Sequence, residues 1–404
     1  MKKTVHLIFA VLLTLVASQY SFAQCGDRFQ EAVFTNVTTT SNVVFSPTYN
    51  LTMNVYEPTG DTATMRPLII MAHGGSFIGG SKDEATTVDF CRRFAKHGYV
   101  TASINYRLTN FFDLLDSIKI MKEVVRAVQD MKTTIRYFHN DAATGKTYRI
   151  DTTQIFVGGE SAGAILAVHL AYLNDLTELE TYIVDAINAE GGIDGNGGYP
   201  QYGSQVRGVV NFCGAINKVN WIDAGETPIV SVHGDADGTV PYNHNEVFTG
   251  QYAPIHLVTV DGSGIMRQRA NEVGLYNDLW TLTGQDHMAH AAAANVAQSE
   301  DFVMSFLYPL IDCTNLYQSS PATAINTPTA LHLGISPNPT TGIINLTFDE
   351  PNANYQVTIT DQTGKVVAQG NNQTQYNLSQ LPRGMYLAQV QNGKQNVVQK
   401  IILQ

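Results

Sequence analysis

The sequence predicts an α/β fold, a mostly parallel sheet with helices on both faces, followed by a small all-β sandwich. Three observations carry this. Between residue 51 and residue 307, apolar runs of strand length alternate with stretches of helical spacing, the rhythm of a parallel sheet with crossover helices. Beyond residue 334 the helical spacing stops, and short alternating segments separated by polar turns take over. In the middle lies Gly-Gly-Glu-Ser-Ala-Gly at 158–163, a tight glycine-flanked turn between a strand pattern and a helix pattern.

Taken in order, the chain starts with Met1-Lys2-Lys3, an apolar stretch from His6 to Ala17, and the small-x-small site Ser21-Phe22-Ala23. That is the pattern of a secretory signal peptide over 1–23, cleaved after Ala23. Gln24 is too large for a lipoprotein signal at Cys25. No later run reaches the roughly 18 apolar residues of a membrane span, so no transmembrane segment is expected in the mature protein. Leu51–Tyr56 alternates as a strand, Pro67–Ala72 reads as a buried one, and Ala85–Lys96 as a helix stopped by Gly98. Strands are expected at Tyr99–Tyr106, Gln154–Val157, Val206–Phe212, Thr227–His233 and Leu279–Thr283. Helices are expected at Ile118–His139, Ala164–Leu170 and Met288–Leu307. Residues 172–205 break the rhythm with a Gly-rich run, 191–198. An insertion after the serine-bearing turn is a candidate lid or rim, and its Asp and Asn residues lack the spacing of a calcium loop.

Length and composition bound the rest. The 404 residues, 44% hydrophobic and 15% charged, suit one large α/β unit plus something small. A net charge of −11, from 35 acids and 24 bases, without basic clusters, speaks against nucleic acid as a partner and for solubility. Four cysteines in an exported chain favour disulfides. No Cys-x-x-Cys spacing appears, so no metal site is expected. Three pairings are open, of which a clasp between Cys25 and Cys313, bracketing the large unit, is favoured, with Cys91 and Cys213 free and buried.

Strand, sharp turn and helix is the setting in which Gly-x-Ser-x-Gly exposes a nucleophile, here Ser161. Upstream, a strand runs into His73-Gly74-Gly75-Ser76-Phe77. A developing oxyanion needs preorganised N–H donors, which consecutive glycines can aim freely. Gly74 and Gly75 are one candidate source, and Ala162, the residue after the serine, the other. Downstream, His233-Gly234-Asp235-Ala236-Asp237-Gly238-Thr239-Val240-Pro241 and Gly284-Gln285-Asp286-His287 each follow a strand. The chain order serine, acid, histidine then proposes Ser161, Asp237 and His287 as a triad, the histidine as base and the acid fixing its tautomer. Asp235 is the rival acid, expected instead to brace its loop.

On these motifs residues 25–313 resemble the carboxylesterases of the α/β-hydrolase superfamily. His73-Gly74-Gly75-Ser76-Phe77 is similar to the oxyanion loop of the hormone-sensitive-lipase-like and type B esterases, and Gly159-Glu160-Ser161-Ala162-Gly163 to their nucleophile turn. Ile104-Asn105-Tyr106-Arg107-Leu108 resembles a strand end found in both. Type B esterases use Glu as the acid, so the Asp237 motif is closer to the Asp-using groups. The resemblance implies hydrolysis of carboxylic esters through an acyl-enzyme, without a cofactor, by a catalytic domain over 24–313. A serine peptidase and a catalytically inactive adhesion protein on the same fold are the alternative readings. An exported esterase would meet polymeric esters or polyesters as readily as small ones.

Residues 314–334, rich in Thr, Ser, Asn and Pro, read as a linker. Strands are expected at Ile344–Phe348, Tyr355–Thr360, Lys365–Gln369, Met385–Val390 and Val397–Leu403. Ser336-Pro337-Asn338-Pro339-Thr340-Thr341-Gly342, Leu381-Pro382-Arg383-Gly384-Met385-Tyr386 and Gln399-Lys400-Ile401-Ile402-Leu403 resemble the sorting domain of type IX (Por) secretion, over 335–404. This implies the outer-membrane secretion machinery as a partner. It also implies export through the periplasm of a Gram-negative bacterium, to the cell surface or the medium.

Overall fold

The computed structural model describes residues 25–114, 117–174, 176, 179, 181–248, 258–313, 316, 333–348, 355–361, 364–392 and 395–404. The expected signal peptide and most of the expected linker lie outside these residues. The chain forms two compact units, Met1–Gln318 and Ser319–Gln404.

The strands of the first unit are β1 (Val37–Ser46), β2 (Leu51–Pro58), β3 (Arg66–Ala72), β4 (Val100–Ile104), β5 (Ile150–Glu160), β6 (Gly208–Phe212), β7 (Ala215–Ile216), β8 (Ile229–Gly234), β9 (His244–Glu246), β10 (Thr259–Gly262) and β11 (Asn277–Leu282). Eight of them make one sheet in the order β1-β2-β4-β3-β5-β6-β8-β11. Contacts among β1, β2 and β4 are antiparallel, and from β4 to β11 every pair is parallel. The short strands β7, β10 and β9 form a separate antiparallel ribbon.

The helices are α1 (Ala85–Lys96), α2 (Phe111–Leu114), α3 (Ser117–Thr144), α4 (Ala162–Tyr172), α5 (Thr181–Ala189), α6 (Ser263–Glu272) and α7 (Val296–Leu307). Strand periodicity explains why helices must cover both faces. Every residue of β3 is buried, but Leu68, Ile70 and Ala72 join one core, with α3, α4 and α6, while Ile69 and Met71 join the other, with α1 and α7. Helix α3 meets its core with Val124, Val128, Met131, Ile135 and Phe138, a single stripe at spacings of three and four.

Two expectations fail here. The helix expected from Met288 starts only at Val296. Met288 takes a left-handed φ of 60°, and a 3-10 turn, Ala289–Ala291, follows. That turn exists to seat a buried histidine, His290. The break in rhythm expected over residues 172–205 is only partial, since they contain α5. Their Gly-rich run is pinned to β1 and α3: Ser46 Oγ donates to the Gly197 carbonyl, Gln129 Nε2 to that of Gly192 and Arg136 Nε to that of Gly198, and Lys132 pairs with Asp194.

Cys25 and Cys313 are joined, and Cys91 and Cys213 are free and buried. The clasp closes a separation of 288 residues. Chain-entropy arguments put the gain from so long a loop at up to about 5 kcal/mol. Reduction, or Cys313→Ser, is expected to lower the melting temperature well beyond any effect of Cys91→Ser, which a thermal melt with and without reductant checks. Past the clasp, Leu316 still belongs to this unit, buried and accepting the Thr64 N–H at 3.0 Å.

The second unit has β12 (Leu333–Ser336), β13 (Ile343–Phe348), β14 (Gln356–Asp361), β15 (Val366–Asn371), β16 (Gln375–Asn377), β17 (Gly384–Asn392) and β18 (Gln395–Leu403). They form two antiparallel sheets, β12-β13-β16 and β15-β14-β17-β18. Ile344 and Leu346 from one sheet and Val357, Ile359, Ala388, Val390 and Ile401 from the other share a core. Leu333 and Gly334, expected in the linker, already pair with β13.

Candidate active site

Ser161 stands where β5 gives way to α4, with φ 54° and ψ −118°, a conformation that side-chain-bearing residues rarely hold. The turn is this tight because β3 crowds it. A Cβ on Gly163 would come within 2.1 Å of the Ala72 carbonyl oxygen, and one on Gly159 within 2.6 Å of the same atom. The Ser161 N–H is held by the Phe212 carbonyl at 2.9 Å, locking the turn to the end of β6. Ala162 opens α4, so its N–H lies among the unsatisfied donors of a helix N-terminus.

The loop after β3 is arranged against this turn. Gly74 abuts the serine, and a Cβ there would sit 3.3 Å from Ser161 Cβ. His73 stacks on Tyr106 at 4.4 Å, Tyr106 Oη donates to the His73 carbonyl, and His73 Nδ1 donates to the Gly74 carbonyl at 2.6 Å. Burial pushes the His73 pKa down, so the ring is neutral and its Nδ1–H tautomer is fixed by that bond. Gly75, Ser76 and Phe77 all have positive φ, folding the loop back so that Ile78 and Gly79 donate to the Gly75 carbonyl. Among the described residues, no hydrogen bond uses the N–H of Gly74 or Gly75.

Asp237 and His287 arrive from the loops after β8 and β11. His287 Nδ1 donates to Asp237 Oδ2 at 2.7 Å, and its Nε2 lies 2.9 Å from Ser161 Oγ. The three expected residues therefore form one hydrogen-bonded chain. Asp237 Oδ1 accepts the N–H groups of Thr239 and Val240 at 2.8 and 2.9 Å. His233, buried at the end of β8, adds a donor the sequence reading missed, its Nε2 lying 3.1 Å from Asp237 Oδ2. Ser263 Oγ, 2.7 Å from His233 Nδ1, fixes that tautomer. Burial alone would push the Asp237 carboxyl up, but His233 and His287 outweigh it and hold it well below the usual carboxylate range.

Asp235 takes no part in this chain. It is exposed, and its Oδ1 accepts the Gly284 N–H at 2.5 Å, while Asp286 Oδ1 returns the favour to the Gly238 N–H at 3.0 Å. Each loop thus braces the other. The expected bracing role is met across the two loops rather than within one.

Burial disfavours the His287 imidazolium, yet Cys213 and the Asp237 carboxylate more than compensate and raise its pKa above the ordinary 6.5. A protonated ring cannot accept the serine proton. Ester turnover is therefore expected to fall on acidification starting from a pH above 6.5, and a kcat/KM profile whose acid limb lies below 6 would contradict this.

An apolar cleft opens at Ser161, walled by Phe77, Ile120, Val124, Ile165, Val240 and Val260, with Ser76, Asn217 and His169 as polar points. None of the described residues of 172–205 lines it. Cys213 Sγ, Asp237 and His287 offer ligand atoms within 4.8 Å of one another, the only such grouping among the described residues. Asp237 and His287 are already engaged in the chain that ends at Ser161.

Residues 53–196 match the BD-FAE family model, a span that includes the oxyanion loop and the nucleophile turn. The first unit is an α/β-hydrolase esterase domain. Residues 334–404 match the secretion system C-terminal sorting domain, so the esterase carries its own export tag. Among solved structures, the fold is similar to a truncated carbohydrate esterase from gut microbiota. The two are 19% identical, with 68% of this chain and 98% of that one covered at a TM-score of 0.50. A propionate-bound thermophilic esterase from the planctomycete Thermogutta terrifontis is 20% identical, with 72% and 98% covered and a TM-score of 0.49. No helix among the described residues of the esterase is long and apolar enough to cross a membrane.

Proposed function

We propose that the esterase is an exported serine carboxylesterase working through an acyl-enzyme on Ser161. The observation that carries this is the unbroken chain from Asp237 through His287 to Ser161, at 2.7 and 2.9 Å. Ser161 Oγ attacks the ester carbonyl as His287 Nε2 takes its proton. The N–H groups of Gly74, Gly75 and Ala162 receive the oxyanion. His287 then protonates the departing alcohol, and a water activated by the same ring releases the acid. The apolar walls of the cleft take the acyl group. Leu108, Phe111 and Phe112 are exposed around Thr109, whose N–H binds the Phe77 carbonyl, in the stretch leading to Ile120 of the cleft wall. They supply an apolar seat for a polymeric ester, polyesters included.

Export follows from the sorting domain. In this reading the signal peptide over 1–23 is removed, the chain crosses the periplasm of a Gram-negative bacterium, and residues 335–404 engage the outer-membrane secretion machinery. The sorting domain then has no share in hydrolysis. A chain ending after Gln318, which keeps both Cys313 and Leu316, is expected to retain full activity on soluble esters. Loss of that activity with the fold intact by circular dichroism would count against it. The function itself is tested by chromogenic acyl esters of increasing length, aminoacyl anilides and a polyester film. Hydrolysis of esters but not anilides is expected, and the reverse would favour a peptidase.

A further inference from the structure

The residue before the nucleophile is itself part of a buried polar cluster. Glu160, the last residue of β5, is 1% exposed, and its Oε2 accepts the hydroxyls of Thr86 and Thr87 from the first turn of α1, at 2.8 and 2.6 Å. Its Oε1 lies 3.1 Å from His290 Nε2. His290 is also 1% exposed and is stacked flat on Phe212 at 4.5 Å, with Phe90 at 5.7 Å. Cys213 also lies beside the ring, and Glu160 is the partner held at Nε2. His290 lies three residues beyond His287 in the same loop, and Glu160 is bonded directly to Ser161 in the chain. The contact therefore ties the nucleophile turn to the histidine loop from beneath.

The chemistry asks for a cation here. A carboxylate accepting two hydroxyl donors is acceptor-only, so His290 Nε2 must donate. A lone buried negative charge one residue from Ser161 would oppose the negative oxyanion that hydrolysis creates, and would itself be costly to bury. Building on the esterase reading of Ser161, we propose that His290 is a positioning residue whose imidazolium neutralises Glu160 and so protects the oxyanion from its charge. The groups facing His290 are Glu160 from β5, Cys213 from the turn after β6 and His287 from its own loop. Helix α1 presents Thr86, Thr87 and Phe90, and Glu160 is also faced by Cys91 of α1 and by His73 after β3. Burial works against the charged ring, but Cys213 and Glu160 raise its pKa to about 9, so it carries its charge at neutral pH.

Single-turnover and steady-state kinetics on the full chain test this, with competent Ser161 counted by a fluorophosphonate. His290→Gln leaves Glu160 uncompensated and is expected to lower kcat per titrated site on the order of 10²-fold, with KM changed less than about threefold. Glu160→Gln keeps an acceptor for the threonines and lets His290 go neutral, costing about fivefold, and the double variant is expected to regain at least about tenfold over His290→Gln. Should His290→Gln fail to fold, Glu160→Gln alone still decides. Wild-type kcat is expected to fall at alkaline pH as His290 loses its proton, and Glu160→Gln to lack that fall. A merely structural pair would lower melting temperature and titrated sites while leaving kcat per site intact, and would make the double variant worse than either single. That result, or an alkaline fall that persists in Glu160→Gln, overturns the proposal. Failure of the wild-type chain to take up fluorophosphonate would instead point to an error in the Ser161 assignment.

Discussion

Ser161→Ala is expected to fold as the parent does and to lose ester turnover by roughly 10⁴- to 10⁶-fold, the range of serine triads that lose their nucleophile. The fold should not notice the change. The strain at residue 161 is enforced by Gly159, Gly163 and the Ala72 carbonyl, and its N–H bond to Phe212 is made by the backbone. Only the Oγ contact with His287 Nε2 disappears. Residual hydrolysis would come from the oxyanion donors and cleft alone. A purified variant with near-normal turnover would remove Ser161 from the chemistry.

Asp237→Asn is the second large effect, and its mechanism can be read atom by atom. Two backbone N–H groups, from Thr239 and Val240, point at Oδ1 and would keep the amide oxygen there. The amide nitrogen then occupies the Oδ2 position and presents hydrogens to both His287 Nδ1 and His233 Nε2. His287 is forced to carry its proton on Nε2, where it can no longer accept from Ser161. The expected cost is on the order of 10⁴ in kcat. Asp235→Asn offers the contrast. Its carboxylate is exposed and only accepts the Gly284 N–H, which an amide oxygen does equally well. Little change in kcat or melting temperature is expected, less than a buried brace would have implied. A large kcat loss in Asp235→Asn, with Asp237→Asn active, would reverse the two roles.

The sequence made the nucleophile turn legible because its constraint is local. Two glycines are demanded by one carbonyl, and strand and helix patterns flank them. The acid and the base were legible as loop positions after strands, although nothing in one dimension shows that two loops 50 residues apart brace each other. His233 escaped notice because a histidine ending a buried strand looks like core filling. His290 escaped because its alanine-rich surroundings read as helix, and only the left-handed Met288 sets the ring inward. The Gly-rich run at 191–198 misled for a related reason. It has no periodicity of its own, and the side chains that fix it, from Ser46 to Arg136, lie far away in the sequence. Helix α6 and the ribbon β7-β10-β9 went unpredicted, being short and weakly patterned. What the sequence cannot show is chiefly what one segment does for another.

The central claim is that one serine, activated by His287 and Asp237, carries the hydrolysis. It is tested most directly by reacting the intact chain with a fluorophosphonate, weighing the product and mapping the adduct, while following ester turnover in the same sample. One adduct per chain is predicted, on the peptide carrying Ser161, with turnover lost in proportion to labelling and no adduct in Ser161→Ala. Full labelling with turnover intact, or an adduct at another residue, would contradict it.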